Sequence, residues 1–244
     1  MSETNPIFRL HQGLLREGPG SDETTLRTLG ETGVSGPVRM ADMGCGPGAA
    51  SLVALRALPE AQVTAVDLHA PYLQTLEQRA HAAGLADRLE TRVADMGDAG
   101  FEEGSLDLIL CESALYFLGI EEGLRRWRPL LAPGGRIAFS DAIWIVKERP
   151  EEAEIFWMEY PAMTNRAGVR EKVARAGFRT VADYVQPKSD WDNYLGPLGA
   201  RAEALRPDAD ETLRQVLEGA EQEVALFRRW GSAYAYGVFV VEPA

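Results

Sequence analysis

The chain has 244 residues, of which 45% are hydrophobic and 25% are charged, and this composition is typical of a soluble globular protein. A formal net charge of -12 disfavours nucleic acid as a partner, because binding to phosphate groups requires clustered Lys and Arg. The apolar runs are far too short to span a membrane and no signal peptide is evident, so we expect a cytoplasmic protein. Cys45 and Cys111 are too few for a disulfide framework or a structural zinc site, so we expect buried, unreactive thiols and no metal.

The first part of the chain, residues 1–35, is predicted to carry covering helices or a lid. Ser21 or Asp22 is a favourable N-cap, and the acidic pair Asp22 and Glu23 suits the first turn of a helix. We expect this helix to end before Gly30 and Gly33.

From residue 38 to residue 144, predicted strands and helices alternate. The strands are expected at 38–43, 61–68, 89–94 and 106–111 and from 136 to 140, and the helices at 49–58, 71–83 and 120–131. A turn at Pro133-Gly134-Gly135 is expected to close the last of these helices. The alternation predicts βαβ units and a parallel sheet, which is an α/β fold.

Beyond Trp144 this alternation ends. Helices are predicted at 151–160, 169–176, 191–205 and 208–230, and strands at 178–185 and 233–241. Two late strands separated by helices suit an antiparallel edge added to a parallel sheet. Without repeats or convincing linkers, we expect one domain over residues 1–244. Its predicted parts are a cofactor-binding core at 36–144, acceptor-side helices and an edge strand at 145–232, and a last strand at 233–244.

The stretch from Val38 to Ala50 joins a strand to a helix through three glycines at alternate positions, Gly44, Gly46 and Gly48. Glycine allows a sharp turn and lets a ligand contact the main chain, while the start of the helix offers unpaired N–H groups. Strand, glycine turn and helix together are typical of a site for a nucleoside-containing ligand. Taken alone, this motif is a weak signal.

Acidic residues stand at the ends of four predicted strands. Asp67 follows the glycines by roughly 20 residues, where a carboxylate can bind the ribose hydroxyls of either NAD or S-adenosylmethionine. Asp42 precedes the first glycine, where it would repel a pyrophosphate and attract an amino group. Asp95 could accept from an adenine amino group while Met96 packs on the ring. With Glu112, these residues form an edge that suits a cationic ligand and disfavours a dinucleotide.

Five stretches in order resemble the class I S-adenosylmethionine-dependent methyltransferases: Ala41–Gly48, Val66–Asp67, Ala94–Met96, Leu106–Glu112 and Leu131–Ala138. Residues 18–21, 116–119, 148–150 and 156–158 further resemble a bacterial small-molecule subgroup related to the quinone- and sterol-type enzymes. The resemblance implies a Rossmann-like, doubly wound, seven-stranded sheet, mostly parallel with an antiparallel C-terminal edge strand. Residues 236–241 are similar to the last strand of that fold.

The same resemblance implies S-adenosyl-L-methionine as the cofactor, with S-adenosyl-L-homocysteine as its product. The residues implied to bind it are Asp42, Gly44, Cys45, Gly46, Gly48, Asp67, Leu68, Asp95, Met96 and Glu112. Asp42 would lie near the amino group, Asp67 would hold the ribose, and Met96 would pack on the adenine opposite Leu68. Glu112 begins Glu-Ser-Ala-Leu where nucleic-acid and protein N-methylating branches often have Asn- or Asp-Pro-Pro-Tyr, which argues against a base amino group as the acceptor.

Methyl transfer to a small molecule by in-line displacement mainly requires alignment of the reactants and exclusion of water. Glu112 is the candidate general base, with a purely positioning role as the alternative, and His11 is the less favoured base. His69 and His81 are expected at the surface. The candidates for an acceptor pocket are aromatic residues, each of which could equally be core: Tyr116, Trp144, Trp157, Tyr160, Trp191 and Tyr194.

Two other functions stay open. An NAD(P)-dependent oxidoreductase would share the glycine turn, but it leaves Asp42, Asp95 and the late antiparallel strand unexplained. A catalytically silent protein that binds S-adenosylmethionine or S-adenosylhomocysteine would keep the same glycines and carboxylates as an enzyme.

Overall fold

Strand β1 (Arg39–Met43) is an interior strand of the sheet in the computed structural model, which describes residues 5–244. Parallel to it run β2 (Gln62–Asp67) on one side and β4 (Leu106–Cys111) on the other, with β3 (Leu89–Val93) beyond β2 and β5 (Leu131–Trp144) beyond β4. The strand order therefore reverses at β1. In parallel sheets such a switch point leaves a crevice at the carboxyl ends of the strands, where ligands bind.

The far edge of the sheet is antiparallel. Strand β8 (Tyr234–Pro243) pairs antiparallel with β5 and with β7 (Phe178–Val185), which gives the order β3-β2-β1-β4-β5-β8-β7. The predicted seven-stranded, mostly parallel α/β sheet is confirmed. The C-terminal strand β8 is antiparallel as predicted and lies between β5 and β7, and β7 is the edge strand expected within residues 145–232. A two-residue strand that was not predicted, β6 (Thr164–Asn165), pairs with the end of β5.

Nine helices occur within residues 5–244: α1 (Pro6–His11), α2 (Asp22–Thr32), α3 (Ala49–Ala57), α4 (Ala70–Ala82), α5 (Ile120–Trp127), α6 (Glu151–Phe156), α7 (Arg166–Arg175), α8 (Ser189–Leu205) and α9 (Glu211–Trp230). Helices α2 and α3 pack on one face of the sheet, and α5 and α7 pack on the other. Both faces are covered, which explains why β1 and β4 are apolar and buried almost throughout.

The N-terminal helix α2 is capped as predicted. The Ser21 hydroxyl accepts from the Thr24 amide at 3.1 Å. The helix continues through Gly30, however, and ends at Thr32, where Gly33 adopts a left-handed conformation with φ of 64°. Its buried face packs against α3 and β5, so it is a covering helix for the sheet.

The predicted turn at residues 133–135 is wrong in one respect. Helix α5 ends at Trp127, a 3-10 turn follows at Arg128–Leu130, and β5 already begins at Leu131. Residues 132–135 bulge out of that strand, since Leu106 pairs with Leu131 whereas Leu108 pairs with Arg136. Likewise, the helix expected at 151–160 ends at Phe156 and continues only as a 3-10 turn.

Helices α1, α8 and α9 form a separate layer beside the carboxyl end of β5 and the start of β8. Leu10, Leu198 and Leu213 lie in one buried cluster there, together with Trp144 and Tyr234. This layer places residues from the two ends of the chain beside the loops that follow the parallel strands. Among the helices of the described part of the chain, none has the length and apolar character needed to cross a membrane.

Candidate active site

A cavity of about 800 Å³ lies at the carboxyl ends of the parallel strands. The predicted cofactor residues that line it are Asp42, Gly44, Cys45, Gly46, Asp67, Leu68, Asp95, Met96 and Glu112. The predicted acceptor-pocket residues that line it are Tyr116, Trp157, Tyr160, Trp191 and Tyr194. Gly48 and Trp144 are not among its lining residues. The structure thus brings the two predicted sets together in one continuous space.

The glycine turn leaves β1 with three left-handed residues, since φ is 72° at Gly44, 53° at Gly46 and 80° at Gly48. The Gly44 and Cys45 amides donate to the Val66 carbonyl at 2.9 and 3.0 Å, which fixes the turn against β2. A Cβ on Gly48 would lie 2.1 Å from the Leu76 side chain. Gly48 therefore serves the packing of α3 against α4, and Gly44 and Gly46 border the cavity.

Asp42 is a buried carboxyl beside the turn, with 1% of its surface exposed. Its Oδ2 accepts from the Ser51 hydroxyl at 2.5 Å. Burial, with a smaller contribution from the nearby carboxylates Glu112 and Asp67, raises the pKa of Asp42 to about 7 against the lowering effect of the Ser51 hydrogen bond. A cationic group bound here would favour the ionised carboxylate.

Asp67 closes the next strand and is hydrogen-bonded to backbone at both oxygens. Oδ2 accepts from the Gly46 amide at 2.9 Å and Oδ1 accepts from the His69 amide at 2.8 Å. Burial nevertheless raises the pKa of Asp67 above its ordinary value. Each carboxylate oxygen has a further lone pair, so both can accept from ligand hydroxyls in addition.

The third strand contributes the outer rim of the cavity. Asp95 is exposed, and its Oδ1 accepts from the Gly97 amide at 2.7 Å, which shapes the turn after β3. The Met96 carbonyl accepts from the Trp127 indole at 2.8 Å, so the backbone at Met96 is anchored to α5. Leu68, 52% exposed, also lines the cavity and offers an apolar surface to a ligand.

Glu112 follows β4 and is paired with the N-terminal region. Its Oε1 accepts from the Thr25 hydroxyl at 2.7 Å and its Oε2 lies 3.5 Å from the Arg16 guanidinium. Burial raises the pKa of Glu112, and Arg16 opposes that rise. The next residue, Ser113, has a φ of 58°, a left-handed conformation that is rare outside glycine and typical of functional sites.

The segment before α2 covers the cavity. The ring of Phe8 stacks on His69 at 3.7 Å between centroids. The Nδ1 atom of His11 lies 2.5 Å from Oε2 of Glu17, and the Tyr72 hydroxyl donates to the same oxygen at 2.8 Å. The prediction of a surface position for His69 is wrong, because α1 packs over it and leaves it 5% exposed.

Aromatic rings also line the cavity. Tyr116 and Tyr160 lie 5.8 Å apart between centroids, and the Tyr160 hydroxyl donates to Asp141 at 2.8 Å. Burial raises the pKa of Asp141 to about 6, although Tyr160 lowers it. Trp191 stacks on Phe227 at 4.5 Å.

Trp144, unlike the other predicted acceptor-pocket residues, does not line the cavity. It is 4% exposed, belongs to the core and meets Tyr234 edge-on at 6.3 Å between centroids. Of the two cysteines, Cys111 is fully buried inside β4 and Cys45 is half-buried in the turn. Burial raises the pKa of both thiols, which is consistent with the predicted unreactive role.

Several lining residues were not predicted from the sequence: Arg16, Glu17, Tyr72, Glu223 and Tyr236. Glu223 lies in the glutamate-rich helix α9, and Tyr236 lies in an apolar strand, so neither stands out from its neighbours in the sequence. Arg16 and Glu17 precede the glycine and proline of a predicted loop, where charged residues are ordinary.

Strand order, the antiparallel β5–β8–β7 edge and a glycine turn bounded by carboxylates define the Rossmann-like fold of the class I methyltransferases. Residues 40–135 match a family described as "Methyltransferase domain". This part of the chain is therefore similar to a methyltransferase domain, in agreement with the resemblance found in the sequence.

Two solved structures are similar over nearly the whole chain. One is a SAM-dependent methyltransferase from Geobacter sulfurreducens in complex with S-adenosyl-L-homocysteine, with a TM-score of 0.85, 20% identity and coverage of 98% of each chain. The other, from Thiobacillus denitrificans and in complex with the same compound, has a TM-score of 0.85, 18% identity and coverage of 100% of each chain. Both agree with the predicted cofactor class.

The sequence is also similar to a ribosomal RNA large subunit methyltransferase G of Pseudomonas aeruginosa, with 34% identity over 114 residues. That match covers 47% of this chain and only 30% of the relative's length. The chain therefore matches less than a third of the length of this relative.

Proposed function

We propose that this chain transfers the methyl group of S-adenosylmethionine to a small-molecule acceptor. The continuous cavity supports this most directly, because strand-end carboxylates and a group of aromatic rings line the same space. A cofactor and an acceptor would meet inside it, and the N-terminal segment would exclude water from them. The methyltransferase family and the two similar structures support the same cofactor.

The residues at the sheet edge fit this cofactor. Asp42 would bind the amino group, which neutralises an otherwise costly buried carboxylate, and Asp67 would bind the ribose hydroxyls. Met96 and Leu68 would pack on the adenine, and exposed Asp95 would accept from its amino group. When bound, the cofactor supplies a sulfonium methyl group as the electrophile.

Glu112 has a positioning role in this proposal. Its carboxylate is already paired with Thr25 and Arg16, so it is poorly suited to accept a proton from an acceptor. It joins the end of β4 to the N-terminal segment and to α2. Through these contacts it would keep the covering segment aligned over the methyl donor.

A small acceptor agrees with the electrostatics of the cavity. Arg16 is the one arginine or lysine among the described residues that line it, and it is paired with Glu112. RNA binding depends on several such side chains, because phosphate neutralisation supplies most of the affinity. The similarity to a ribosomal RNA methyltransferase makes RNA methylation the second candidate function.

Calorimetric titration with S-adenosylmethionine, S-adenosylhomocysteine and NADH tests the cofactor assignment. We expect both adenosyl compounds to bind and NADH not to bind. If neither adenosyl compound binds at millimolar concentration, the proposal is overturned, and binding of NADH alone would support an oxidoreductase.

A second experiment measures the release of S-adenosylhomocysteine with pools of small molecules and with ribosomal RNA as acceptors. Turnover on RNA alone would favour the second candidate, and binding without any turnover would favour a catalytically silent protein.

A further inference from the structure

One carboxyl group that lines the cavity has no hydrogen-bond or ion-pair partner in the described part of the chain. Glu223, on α9, lines the cavity and makes no hydrogen bond or ion pair within residues 5–244. Burial raises its pKa to about 7, and His11 acts in the opposite direction. A carboxylate held in this way is stabilised by a bound cation.

Four tyrosines lie close enough to this carboxyl group to interact with it electrostatically. The groups that interact electrostatically with Glu223 are His11, Tyr116, Tyr194, Tyr234 and Tyr236. Trp191 also lines the cavity, is 2% exposed and has an indole N–H with no hydrogen-bond partner among residues 5–244. No arginine or lysine among the described lining residues balances Glu223, since Arg16 lies beside Glu112. Carboxylate and aromatic faces together favour a cationic nitrogen over a phosphate or a carboxylate.

His11 is held by a neighbouring carboxylate. Its Nδ1 atom lies 2.5 Å from Oε2 of Glu17, and a carboxylate can only accept a hydrogen bond, so Nδ1 is the nitrogen that carries a proton in this contact. In the neutral ring, the lone pair would then be on Nε2. Tyr72 holds Glu17 in place from the other side, and His11 itself lines the cavity. A carboxylate that orients a histidine in this way is the arrangement of a general base.

We propose that the acceptor is a primary or secondary amine that binds as an ammonium ion, with Glu223 as its counter-ion and His11 as its proton acceptor. This inference rests on the proposed methyl transfer. The ammonium nitrogen gives one proton to Nε2 of His11 and thereby gains a lone pair. That nitrogen forms the new N–C bond as the C–S bond breaks and sulfur keeps the bonding electrons. His11 later returns its proton to solvent, and Glu17 acts as a positioning residue.

Binding of matched probes tests the choice of acceptor. The probes are 2-phenylethylamine, 2-phenylethanol and phenylacetate, titrated at pH 8 into the protein saturated with S-adenosylhomocysteine. We expect the amine to bind at least tenfold more tightly than the alcohol or the acid. Glu223→Gln should remove this preference without changing the affinity for S-adenosylhomocysteine. Glu218→Gln, an exposed position on the same helix, is the control and should behave as wild type.

If the protein binds S-adenosylhomocysteine but binds the three probes with equal affinity, or binds none of them, the inference of an amine acceptor is overturned. Failure to bind S-adenosylhomocysteine at all would instead overturn the proposed function. A preference for the amine that persists in Glu223→Gln would exclude Glu223 as the counter-ion.

The pH dependence of methylation tests His11. With an amine acceptor, kcat should fall at acid pH in the wild type, because a protonated His11 cannot accept a proton. The charged or titratable groups that face His11 are Glu17, Glu223 and Tyr194. His11→Gln should lower kcat about a hundredfold, within the usual range for general-base catalysis, and remove the acid limb. Its affinity for the amine should change less than threefold.

Glu17→Gln should shift the acid limb without removing it, since it leaves His11 in the cavity with a weaker partner. A wild-type pH profile in His11→Gln would overturn the assignment of the base.

Discussion

The Ser51 hydroxyl donates to Oδ2 of Asp42 at 2.5 Å, which ties the first turn of α3 to the buried end of β1. Ser51→Ala removes this donor and leaves a buried carboxyl without it. We expect the free energy of unfolding to fall by about 1–3 kcal/mol at pH 8, measured by urea denaturation. Ser105→Ala, which removes a hydroxyl that lies outside the cavity, should change it by less than about 0.5 kcal/mol. An equal fall in the free energy of unfolding in both variants would show that the hydrogen bond from Ser51 to Asp42 adds no more stability than an exposed one.

The stability of the unliganded protein should depend on Asp42 between pH 4 and pH 7. Its ordinary pKa is 3.8 and its folded pKa is about 7, so the folded protein keeps this proton to a higher pH than the unfolded chain does. The contribution of Asp42 is therefore fully present below about pH 4 and is lost as the pH rises through 7. Urea denaturation from pH 4.5 to pH 8 should show a smaller fall for Asp42→Asn than for the wild type.

Asp87→Asn is the control for this measurement, because Asp87 is exposed and does not line the cavity. It should follow the wild-type pH dependence. An identical profile in Asp42→Asn and the wild type would contradict the raised pKa of Asp42. The other carboxyls whose pKa burial raises act in the same direction and are present in both proteins: Asp67, Glu112, Asp141 and Glu223.

Glycine is required at position 48 for two reasons that a pair of variants can separate. Gly48 and Gly84 both have left-handed backbones, with φ of 80° and 68°. A Cβ would meet Leu76 at 2.1 Å in the first case and open space in the second. Gly84→Ala should lower the free energy of unfolding by about 1–2 kcal/mol, because alanine must adopt the left-handed backbone conformation there. Gly48→Ala should lower the free energy of unfolding by about 1–3 kcal/mol more than Gly84→Ala does, because the side chain of Leu76 must also move.

Urea denaturation of both variants measures the difference. Equal costs would mean that Leu76 adjusts freely. The affinity of Gly48→Ala for S-adenosylhomocysteine should remain measurable, since Gly48 is not among the lining residues of the cavity.

Asp67 should control the affinity for the cofactor. Asp67→Ala removes the acceptor of the Gly46 and His69 amides together with the proposed ribose contacts. We expect S-adenosylhomocysteine to bind about 10–100-fold more weakly, which corresponds to about 1.4–3 kcal/mol. Asp67→Asn should lose less, because its amide oxygen still accepts one hydrogen bond.

Calorimetry measures both affinities, and Asp98→Asn, an exposed change outside the cavity, is the control. If Asp67→Ala bound the ligand as tightly as wild type, the ribose assignment would be wrong.

Much of the sheet and its acidic edge was predictable from the sequence. Alternating strands and helices predicted the α/β fold, and the glycine turn and the acidic strand ends predicted where a ligand would lie. These inferences succeed for a physical reason, because the carboxyl ends of adjacent parallel strands meet at one edge. Asp42, Asp67 and Glu112 therefore line one cavity although they are distant in the chain.

Only the tertiary structure decided what lies opposite that edge. Which face of a helix borders a cavity depends on its packing against helices that are distant in the chain, and local patterns do not encode that packing. Trp157 reaches the cavity whereas Trp144 is buried in the core, although each stands beside apolar residues in the sequence. The approach of His11 to Glu223 likewise depends on α1 packing against α9. The sequence by itself determined the cofactor class, whereas the packing of the outer helices decided which side chains line the rest of the cavity.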